Sequence, residues 1–204
     1  MARQNIEVII QSLPHNSAHW DLVHAFLKLR RSVFIQKKHW SLVEDQDIEY
    51  EQYDRVYDSH YVIAHDNNEI LGGARLMRCD ARMTHGSTPY TYMIKDAADG
   101  LIDIPHEIMV TPPPTDAQSW EITRMLTVVR NPFVHKAILD GAYDFIRSQG
   151  GTSCLFLGPP AFCRMARRMN YTLERTGPVC GDETGRYLVM KFDLSQYKTS
   201  TSEG

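Results

Sequence analysis

Apolar residues recur at three- and four-residue steps near the start of the chain. Between residues 18 and 36 they are Leu22, Phe26, Leu29 and Val33. Residues three and four apart lie on one face of an α-helix, so this spacing predicts an amphipathic helix over 18–36.

Two strand-like runs follow, Tyr61 to Ala64 and Glu69 to Met77, on either side of the turn-forming tetrapeptide His65-Asp66-Asn67-Asn68. This arrangement predicts a β-hairpin. Alternate residues of a strand face the same side, so Arg75 and Gly73 share a face of the second arm. The small Gly73 is expected to leave room there for a ligand.

The second half of the chain alternates strand-like and helix-like segments. Asn131 and Pro132 suit the N-cap and first position of a helix, and Gly150-Gly151 ends it. The predicted order is a strand over 120–129, this helix, an apolar strand over 152–157, a short basic helix over 160–169 and a strand over 186–194. With the first helix and the hairpin, this order predicts one α/β (α+β) domain over 1–204, a mixed sheet with helices on its faces, and a flexible tail over about 198–204.

Two segments show no clear period. Residues from Ser41 to Tyr57 are rich in carboxylates and tyrosines, and we predict a mobile loop. Residues from Cys79 to Ser119 include the run Pro112-Pro113-Pro114, which fits neither a helix nor a central strand. The second segment is therefore predicted to be irregular.

Composition narrows the class of protein. The chain has 204 residues with a net charge of −3, which argues against a dedicated nucleic-acid binder. Neither a secretory signal nor an apolar run near the roughly 20 residues of a membrane span is evident. Histidines lack zinc-site spacing, so no metal is expected. The cysteines lack metal or disulfide spacing and favour reduced thiols in a cytoplasmic protein; they are Cys79, Cys154, Cys163 and Cys180.

The segment Trp120-Glu121-Ile122-Thr123-Arg124 places a carboxylate and a guanidinium in an apolar strand. Charged groups remain ionised in an apolar interior only when they are paired, well hydrogen-bonded or bound to something charged. The segment is therefore either a structural ion pair or a reaction centre. Further charged residues favour a site. Arg30 and Arg75 lie in apolar or strand-like surroundings, and Glu51 and Asp54 lie in an acidic segment after Trp40.

Basic residues cluster on the predicted helix over 160–169, at Arg164, Arg167 and Arg168. Such clusters are usually solvated helix faces. The alternative is a local docking surface for an acidic partner.

Four motifs in order resemble the acyl-homoserine-lactone synthases, a family related in fold to the GCN5-type N-acetyltransferases. The motifs are Arg30-Arg31-Ser32-Val33-Phe34 with Trp40, Glu51-Gln52-Tyr53-Asp54, Gly73-Ala74-Arg75-Leu76 and Trp120-Glu121-Ile122-Thr123-Arg124. The order and number of these motifs make the resemblance specific, and it covers nearly the whole chain. It implies a mostly antiparallel sheet flanked by helices.

The resemblance also implies a reaction. A fatty acyl group would pass from an acyl-phosphopantetheine thioester, carried by acyl carrier protein or coenzyme A, to the amino group of S-adenosylmethionine. Lactone closure would then release methylthioadenosine. S-adenosylmethionine would be a substrate, and no tightly bound cofactor is expected.

Residue roles follow from this chemistry. Glu121 is the candidate base, because an ammonium must lose a proton before its nitrogen attacks. Thr123 either fills the strand or joins the site. Arg30 would clamp the methionyl carboxylate, Phe34 and Trp40 would offer aromatic faces to the sulfonium, and Glu51 or Asp54 would bind the ammonium or the ribose.

The basic residues have two further roles. Arg75 and Arg124 would fix the acidic segment and the strand, as the family pattern implies. The acyl carrier would dock at Arg164, Arg167 and Arg168.

Some features depart from the family pattern. Glu51 stands where the family usually has Asp, and Met125 where it usually has Phe. A regular strand would also point Arg124 away from Glu121 and Thr123, so a common site needs a bulge, or Arg124 is structural. Two alternatives stay open: an ordinary GCN5-type acetyltransferase, and a non-catalytic acyl-binding regulatory protein.

Overall fold

The computed structural model describes residues 5–13, 18–54, 59–128, 131–182, 185–195 and 197. Its helices are α1 (Trp20–Arg30), α2 (Met93–Ala98), α3 (Pro132–Ser148) and α4 (Pro160–Arg168). Its strands are β1 (Glu7–Leu13), β2 (Glu44–Asp45), β3 (Ile48–Glu49), β4 (Ser59–Asp66), β5 (Glu69–Arg78), β6 (Met83–His85), β7 (Thr88–Tyr90), β8 (Ser119–Thr127), β9 (Ser153–Gly158), β10 (Leu173–Arg175), β11 (Cys180–Asp182) and β12 (Gly185–Asp193). Within these ranges, no helix has the length and apolar character needed to cross a bilayer.

The main sheet has eight strands. Hydrogen bonds order seven of them as β1-β4-β5-β8-β9-β12-β10, and β11 pairs with β12. The pairs β1–β4, β4–β5, β9–β12 and β10–β12 are antiparallel, while β8 and β9 run parallel. The sheet is therefore mixed and mostly antiparallel, which confirms the predicted fold class.

Contacts divide the chain into two compact units. The first unit comprises Met1–Leu76 and Arg124–Phe145, and the second comprises Met77–Thr123 and Ile146–Gly204. Each unit is built from two separate stretches of chain, so β5 and β8 each contribute residues to both. The single domain over 1–204 stays a prediction.

The core of the first unit forms between α1 and its strands. Phe26 is fully buried and meets the edge of Tyr61, with ring centroids 6.2 Å apart. Gly73 allows this close packing, because a Cβ at that position would lie 3.0 Å from the Phe26 ring and 2.7 Å from the carbonyl oxygen of Val62. The expected ligand space beside Gly73 is therefore wrong, since an aromatic ring fills it.

The core of the second unit is rich in aromatic rings. Phe156 of β9 stacks on Phe162 of α4 with ring centroids 4.1 Å apart, and it meets Phe192 of β12 edge-on at 6.4 Å. Trp120 of β8 is also buried. This apolar packing fixes α4 against the sheet and leaves its arginine face outward.

The elements with a strong pattern are confirmed. The helix over 18–36 appears as α1 followed by a π-helix over Arg31–Lys37, and the hairpin appears as β4 and β5. Its turn residues Asn67 and Asn68 have φ of 49° and 67°, as a two-residue hairpin turn requires. The predicted later elements correspond to β8, α3, β9, α4 and β12.

Two predictions about irregular segments are wrong. The acidic segment contains β2, β3 and a turn over Gln52–Asp54, and the segment from Cys79 to Ser119 contains β6, β7 and α2. These elements are short. Side chains from distant parts of the chain hold Glu49 of β3 and the start of α2, and a local period does not reveal such contacts. The tail over 198–204 lies outside the described residues, as do positions 55–58 of the acidic segment.

Candidate functional site

Arg30, the last residue of α1, has all three guanidinium nitrogens paired. Nη1 and Nη2 donate to Oδ1 and Oδ2 of Asp54 at 2.8 and 2.9 Å, and Nε donates to Oε2 of Glu49. The side chains of all three residues are 0% exposed. The paired contact with Asp54 is the fork geometry that suits arginine and carboxylate. Arg30 therefore anchors the acidic segment to the end of α1.

Two more arginines bind the same carboxylates. Nη2 of Arg75 donates to Oε1 of Glu51 at 2.9 Å, and Nη1 lies 3.1 Å from Oδ1 of Asp54. Arg124 donates through Nε to Oε1 of Glu49 at 3.1 Å and through Nη2 to Oε2 of Glu51 at 2.9 Å. We call the set of three arginines and three carboxylates the ion network; its members are Arg30, Arg75, Arg124, Glu49, Glu51 and Asp54.

The backbone of Arg124 explains how a strand residue reaches this network. Its φ is 55°, in the left-handed region that non-glycine residues rarely adopt. Such a residue breaks the regular alternation of a strand and redirects its side chain. β8 therefore departs from a regular strand at Arg124, and the side chain of Arg124 joins the ion network.

Tyrosines complete the surroundings of the network. The hydroxyl of Tyr61 donates to Oδ1 of Asp54 at 2.8 Å, and the backbone N–H of Glu51 donates to Oδ2 at 3.0 Å. The guanidinium of Arg75 lies 5.3 Å from the ring centroid of Tyr53. Asp54 thus accepts hydrogen bonds from three residues and forms an ion pair with Arg75, which strongly favours its charged form.

Opposing effects set the pKa values of the buried carboxyls. Burial by itself would raise the pKa of Asp54, but Arg30, Arg75 and the hydrogen bonds outweigh it and hold the pKa far below the ordinary value. For Glu49, burial is likewise outweighed by Arg30 and Arg124, and the pKa is lowered. Both carboxyls are therefore ionised at neutral pH, and the network balances three positive against three negative charges.

An aromatic pair stands next to the network. The rings of Phe34 and Trp40 are stacked, with centroids 5.1 Å apart and planes 9° from parallel. The guanidinium of Arg124 lies 5.7 Å from the Phe34 centroid, which ties this pair to the network. Phe34 is buried whereas Trp40 is half-buried, so Trp40 keeps surface for a cationic ligand.

Glu121 lies in the second unit, at the start of α2. Its Oε1 accepts from the backbone N–H of Ile94 at 2.7 Å, and its Oε2 accepts from that of Met93 at 3.1 Å. Glu121 is 1% exposed and its charge raises the pKa of the buried Cys79 and Cys154 thiols, adding to the larger effect of their burial. A carboxylate in this position holds α2 and concentrates negative charge in the interior.

The structure brings together most of the residues predicted for the site within the first unit. Arg30, Glu51, Asp54, Arg75 and Arg124 share the ion network, and Phe34 contacts it. Glu121 and the buried Thr123 belong to the second unit. The arginines of α4 are exposed on the surface of that unit; they are Arg164, Arg167 and Arg168.

Sequence reasoning missed two members of the site. Glu49 is one of seven carboxylates in and beside the acidic segment, and Tyr61 stands out only as a strand residue. The signal for Glu49 is its spacing of two from Glu51, which puts both on one side of an extended chain. Nothing local marks Tyr61 as the donor to Asp54.

Three carboxylates also come within reach of a common metal ion. Oxygen atoms of Glu49, Glu51 and Asp54 lie within 4.8 Å of one another. Each of these groups binds guanidinium, however, and a metal ion would have to displace those contacts. The donor set therefore fits an arginine network better than a metal centre.

Two curated relatives cover most of the chain. The acyl-homoserine-lactone synthase of Acinetobacter nosocomialis is 28% identical over 170 residues, which are 77% of this chain and 84% of the relative. The acyl-homoserine-lactone synthase of Pseudomonas aeruginosa is 26% identical over 177 residues, which are 85% of this chain and 79% of the relative. No protein-family model matches the chain.

Solved structures show the same fold at low sequence identity. The acyl-homoserine-lactone synthase LasI has a TM-score of 0.76 at 16% identity, over 94% of this chain and 91% of that chain. The coenzyme A-dependent synthase BjaI, solved with S-adenosylmethionine and isopentyl-CoA, has a TM-score of 0.75 at 16% identity, over 94% and 85%. An acyl-CoA N-acyltransferase from Pseudomonas aeruginosa has a TM-score of 0.55 at 14% identity, over 92% and 99%.

The names of the sequence relatives and of the structural neighbours agree with the resemblance that the four motifs indicate. The four motifs supply five of the six members of the ion network, and Glu49 supplies the sixth. The chain is similar in sequence to acyl-homoserine-lactone synthases and is an enzyme, and its mixed, mostly antiparallel sheet has the fold of solved acyl-homoserine-lactone synthases and of an acyl-CoA N-acyltransferase.

Proposed function

We propose that the chain transfers an acyl group from a phosphopantetheine thioester to the amino group of S-adenosylmethionine and then closes an acyl-homoserine lactone. The observation that carries this proposal is the joining of the Phe34–Trp40 stack to the ion network through Arg124. An aromatic face attracts a sulfonium, and the network holds the neighbouring chain segments in one geometry. The similarity to BjaI, solved with S-adenosylmethionine and isopentyl-CoA, supports the substrate class.

The first step forms an amide. The α-ammonium of S-adenosylmethionine loses a proton to Glu121, directly or through water, and its nitrogen attacks the thioester carbonyl. The C–S bond of the thioester breaks, and the carrier leaves as a thiol. Glu121 is 1% exposed, so its carboxylate lies away from bulk water.

The second step closes the ring. The methionyl carboxylate attacks the γ-carbon of its own side chain, which is bonded to the sulfonium sulfur. The bond between that carbon and sulfur breaks, and methylthioadenosine leaves. Because both reacting groups belong to one molecule, holding the substrate folded supplies much of the acceleration. We assign this positioning to Trp40 and Phe34 at the sulfonium, with Thr123 as a further candidate contact.

Arg30 then acts by positioning other residues. Its three nitrogens already bind Asp54 and Glu49, and its side chain is 0% exposed. A direct clamp on the methionyl carboxylate would break these buried contacts. We therefore give Arg30 and Arg75 the role of fixing Asp54, and Arg124 that of fixing Glu49 and Glu51.

The acyl donor is proposed to dock at α4. Arg164, Arg167 and Arg168 are exposed on the side of α4 that faces away from its buried residues Phe162 and Ala166. A positive surface attracts either an acidic carrier protein or the phosphates of coenzyme A. The four cysteines are free and buried, which fits our proposal that the reaction takes place in the reducing cytoplasm.

The direct test is product formation. The purified chain is incubated with S-adenosylmethionine and a series of acyl-carrier-protein and acyl-coenzyme A thioesters, and mass spectrometry follows methylthioadenosine and lactone. Formation of both in equal amounts supports the proposal. Acyl transfer to other amines without methylthioadenosine would favour an ordinary N-acetyltransferase, and acyl binding without turnover would favour a regulatory protein.

A further inference from the structure

Lys38 lies directly on the aromatic pair. Its Nζ is 4.6 Å from the ring centroid of Trp40 and 5.4 Å from that of Phe34. Both distances are within the range of a cation–π contact, for which about 6 Å is the limit. The ammonium of Lys38 therefore already occupies an aromatic face suited to a cation.

Neighbouring basic residues form ion pairs with carboxylates. Lys28 pairs with Asp47 and Arg31 pairs with Glu44, both at 2.6 Å. Within the described ranges Lys38 makes no such ion pair, and its cationic contacts are the two rings. The aromatic pair thus competes successfully for a cation in a segment that is rich in carboxylates.

The backbone holds Lys38 in this place. Its N–H donates to the carbonyl oxygen of Val33 at 3.1 Å, and that of Trp40 donates to the carbonyl oxygen of Phe34 at 3.0 Å. The residue between them, His39, has a φ of 57° and makes the turn that returns the chain toward Phe34. Lys38 is exposed as a whole residue, and the partial burial of its amine lowers its pKa.

We propose that Lys38 is an internal competitor for the cation face of Trp40 and thereby sets the affinity for S-adenosylmethionine. This inference rests on the proposed function, in which the same face binds the sulfonium. One aromatic face cannot hold two like charges, so the lysine has to leave when the substrate binds. The displaced ammonium then returns to water, where it is well hydrated.

The size of the effect follows from the strength of such contacts. A cation–π contact at an exposed site changes a binding constant by about two- to fivefold. Lys38→Ala should therefore lower the dissociation constant of S-adenosylmethionine by about that factor. Lys38→Arg should raise it, because a guanidinium stacks on aromatic faces more readily than an ammonium does.

The test is isothermal titration calorimetry with S-adenosylmethionine and no acyl donor. Lys37→Ala is the matched control, since Lys37 is the exposed residue directly before Lys38, ends the π-helix and carries the same charge. Its dissociation constant is expected to stay at the wild-type value. In a Trp40→Leu background, Lys38→Ala should lose its effect because the shared face is gone.

The outcomes are distinct. The competitor role of Lys38 is supported if the dissociation constant rises from Lys38→Ala through wild type to Lys38→Arg. The dissociation constant of Lys37→Ala should at the same time equal that of wild type. Equal constants for wild type and Lys38→Arg, or equal shifts for Lys37→Ala and Lys38→Ala, would show long-range repulsion and overturn it. A wild-type chain that binds no S-adenosylmethionine rejects the proposed function itself, whereas wild-type binding with an unchanged Lys38→Ala rejects only this inference.

Discussion

Arg124 donates a hydrogen bond of 3.1 Å to Glu49, although 75 positions separate the two residues in the sequence. Glu49 also accepts from Arg30, so one buried carboxylate joins the end of α1 to β8. A group with two buried cationic partners is costly to neutralise, because each partner is left with an uncompensated charge. Glu49 is therefore a structural centre of the site as well as a member of it.

Glu49→Gln should lower the free energy of unfolding by about 3–5 kcal/mol, the range for removing one partner of a buried ion pair. Urea unfolding followed by circular dichroism measures the change. Glu44→Gln is the control, because Glu44 pairs with Arg31 at the surface, where such pairs contribute about 0–1 kcal/mol. Similar losses for both variants would contradict the central role of Glu49.

The ion network makes stability depend on acid pH. The folded-state pKa of Asp54 and that of Glu49 lie below their ordinary values, so the unfolded chain binds more protons there. Their contribution is fully present above the unfolded pKa of about 4 and is lost as pH falls below it. Urea midpoints should therefore decrease steadily between about pH 5 and pH 2.

Asp54→Asn should reduce this slope, while Glu69→Gln, at an exposed position of β5, should keep it. If Asp54→Asn does not fold, ¹³C NMR of the wild-type Asp54 carboxyl gives the same test. We expect no titration of that carbon down to about pH 3, since the pKa is held far below the ordinary value of about 4. A midpoint near pH 4 would contradict the prediction.

Glu121→Gln tests two roles of Glu121, as the base in catalysis and as the acceptor that holds the start of α2. The amide loses the base, so the rate of methylthioadenosine formation should fall by about 100-fold or more. It also places an NH₂ group opposite one of the backbone donors, Met93 or Ile94, and should cost about 1–3 kcal/mol of stability. Single-turnover assays and urea unfolding measure the two effects. Turnover near wild type in a folded variant would remove Glu121 from the base role.

Charge reversal on α4 tests donor docking. Replacing Arg164, Arg167 and Arg168 with Glu should raise KM for an acyl-carrier-protein thioester by at least about tenfold and leave KM for a short acyl-pantetheine unchanged. The same reversal at Lys136, an exposed residue of α3, is the control. Equal KM values for the carrier protein in both variants would confine the arginines of α4 to solvation of that surface.

The contact of Lys38 with the aromatic pair also has an expected consequence for turnover. Lys38→Ala should bind S-adenosylmethionine more tightly in the ground state. KM for S-adenosylmethionine should therefore fall about two- to fivefold, while kcat stays within about twofold. Initial rates at saturating acyl donor measure both constants. A parallel fall of kcat would instead indicate that Lys38 contacts the reacting groups.

The fold was predictable where one period dominates a long segment. The apolar spacing around Phe26 located α1, and Asn131-Pro132 located the start of α3. Short elements were missed because their stability comes from elsewhere in the chain. Helix α2 has only six residues, and two of its first backbone donors bind Glu121, which lies 27 and 28 positions away.

The site was predictable in its residue types but not in its connections. Charge in apolar surroundings is a property of the sequence, and it identified Arg30, Arg75 and Arg124 as site residues. The reaction implied by the resemblance gave Arg30 a substrate contact, whereas its partners Glu49 and Asp54 occupy every guanidinium nitrogen. Sequence shows that a charge is buried, but a distant part of the chain decides what neutralises it.

The amino-acid sequence by itself therefore determined the long elements, the order of the motifs and the kinds of charge that enter the interior, since these depend on local periodicity and on the cost of burying ions. The tertiary structure alone decided that Glu49 is buried, that Arg124 turns out of β8 with a left-handed backbone, and that Lys38 rests on Trp40. Burial and pairing of these groups depend on contacts between residues far apart in the chain or across a turn, and no local pattern encodes such contacts.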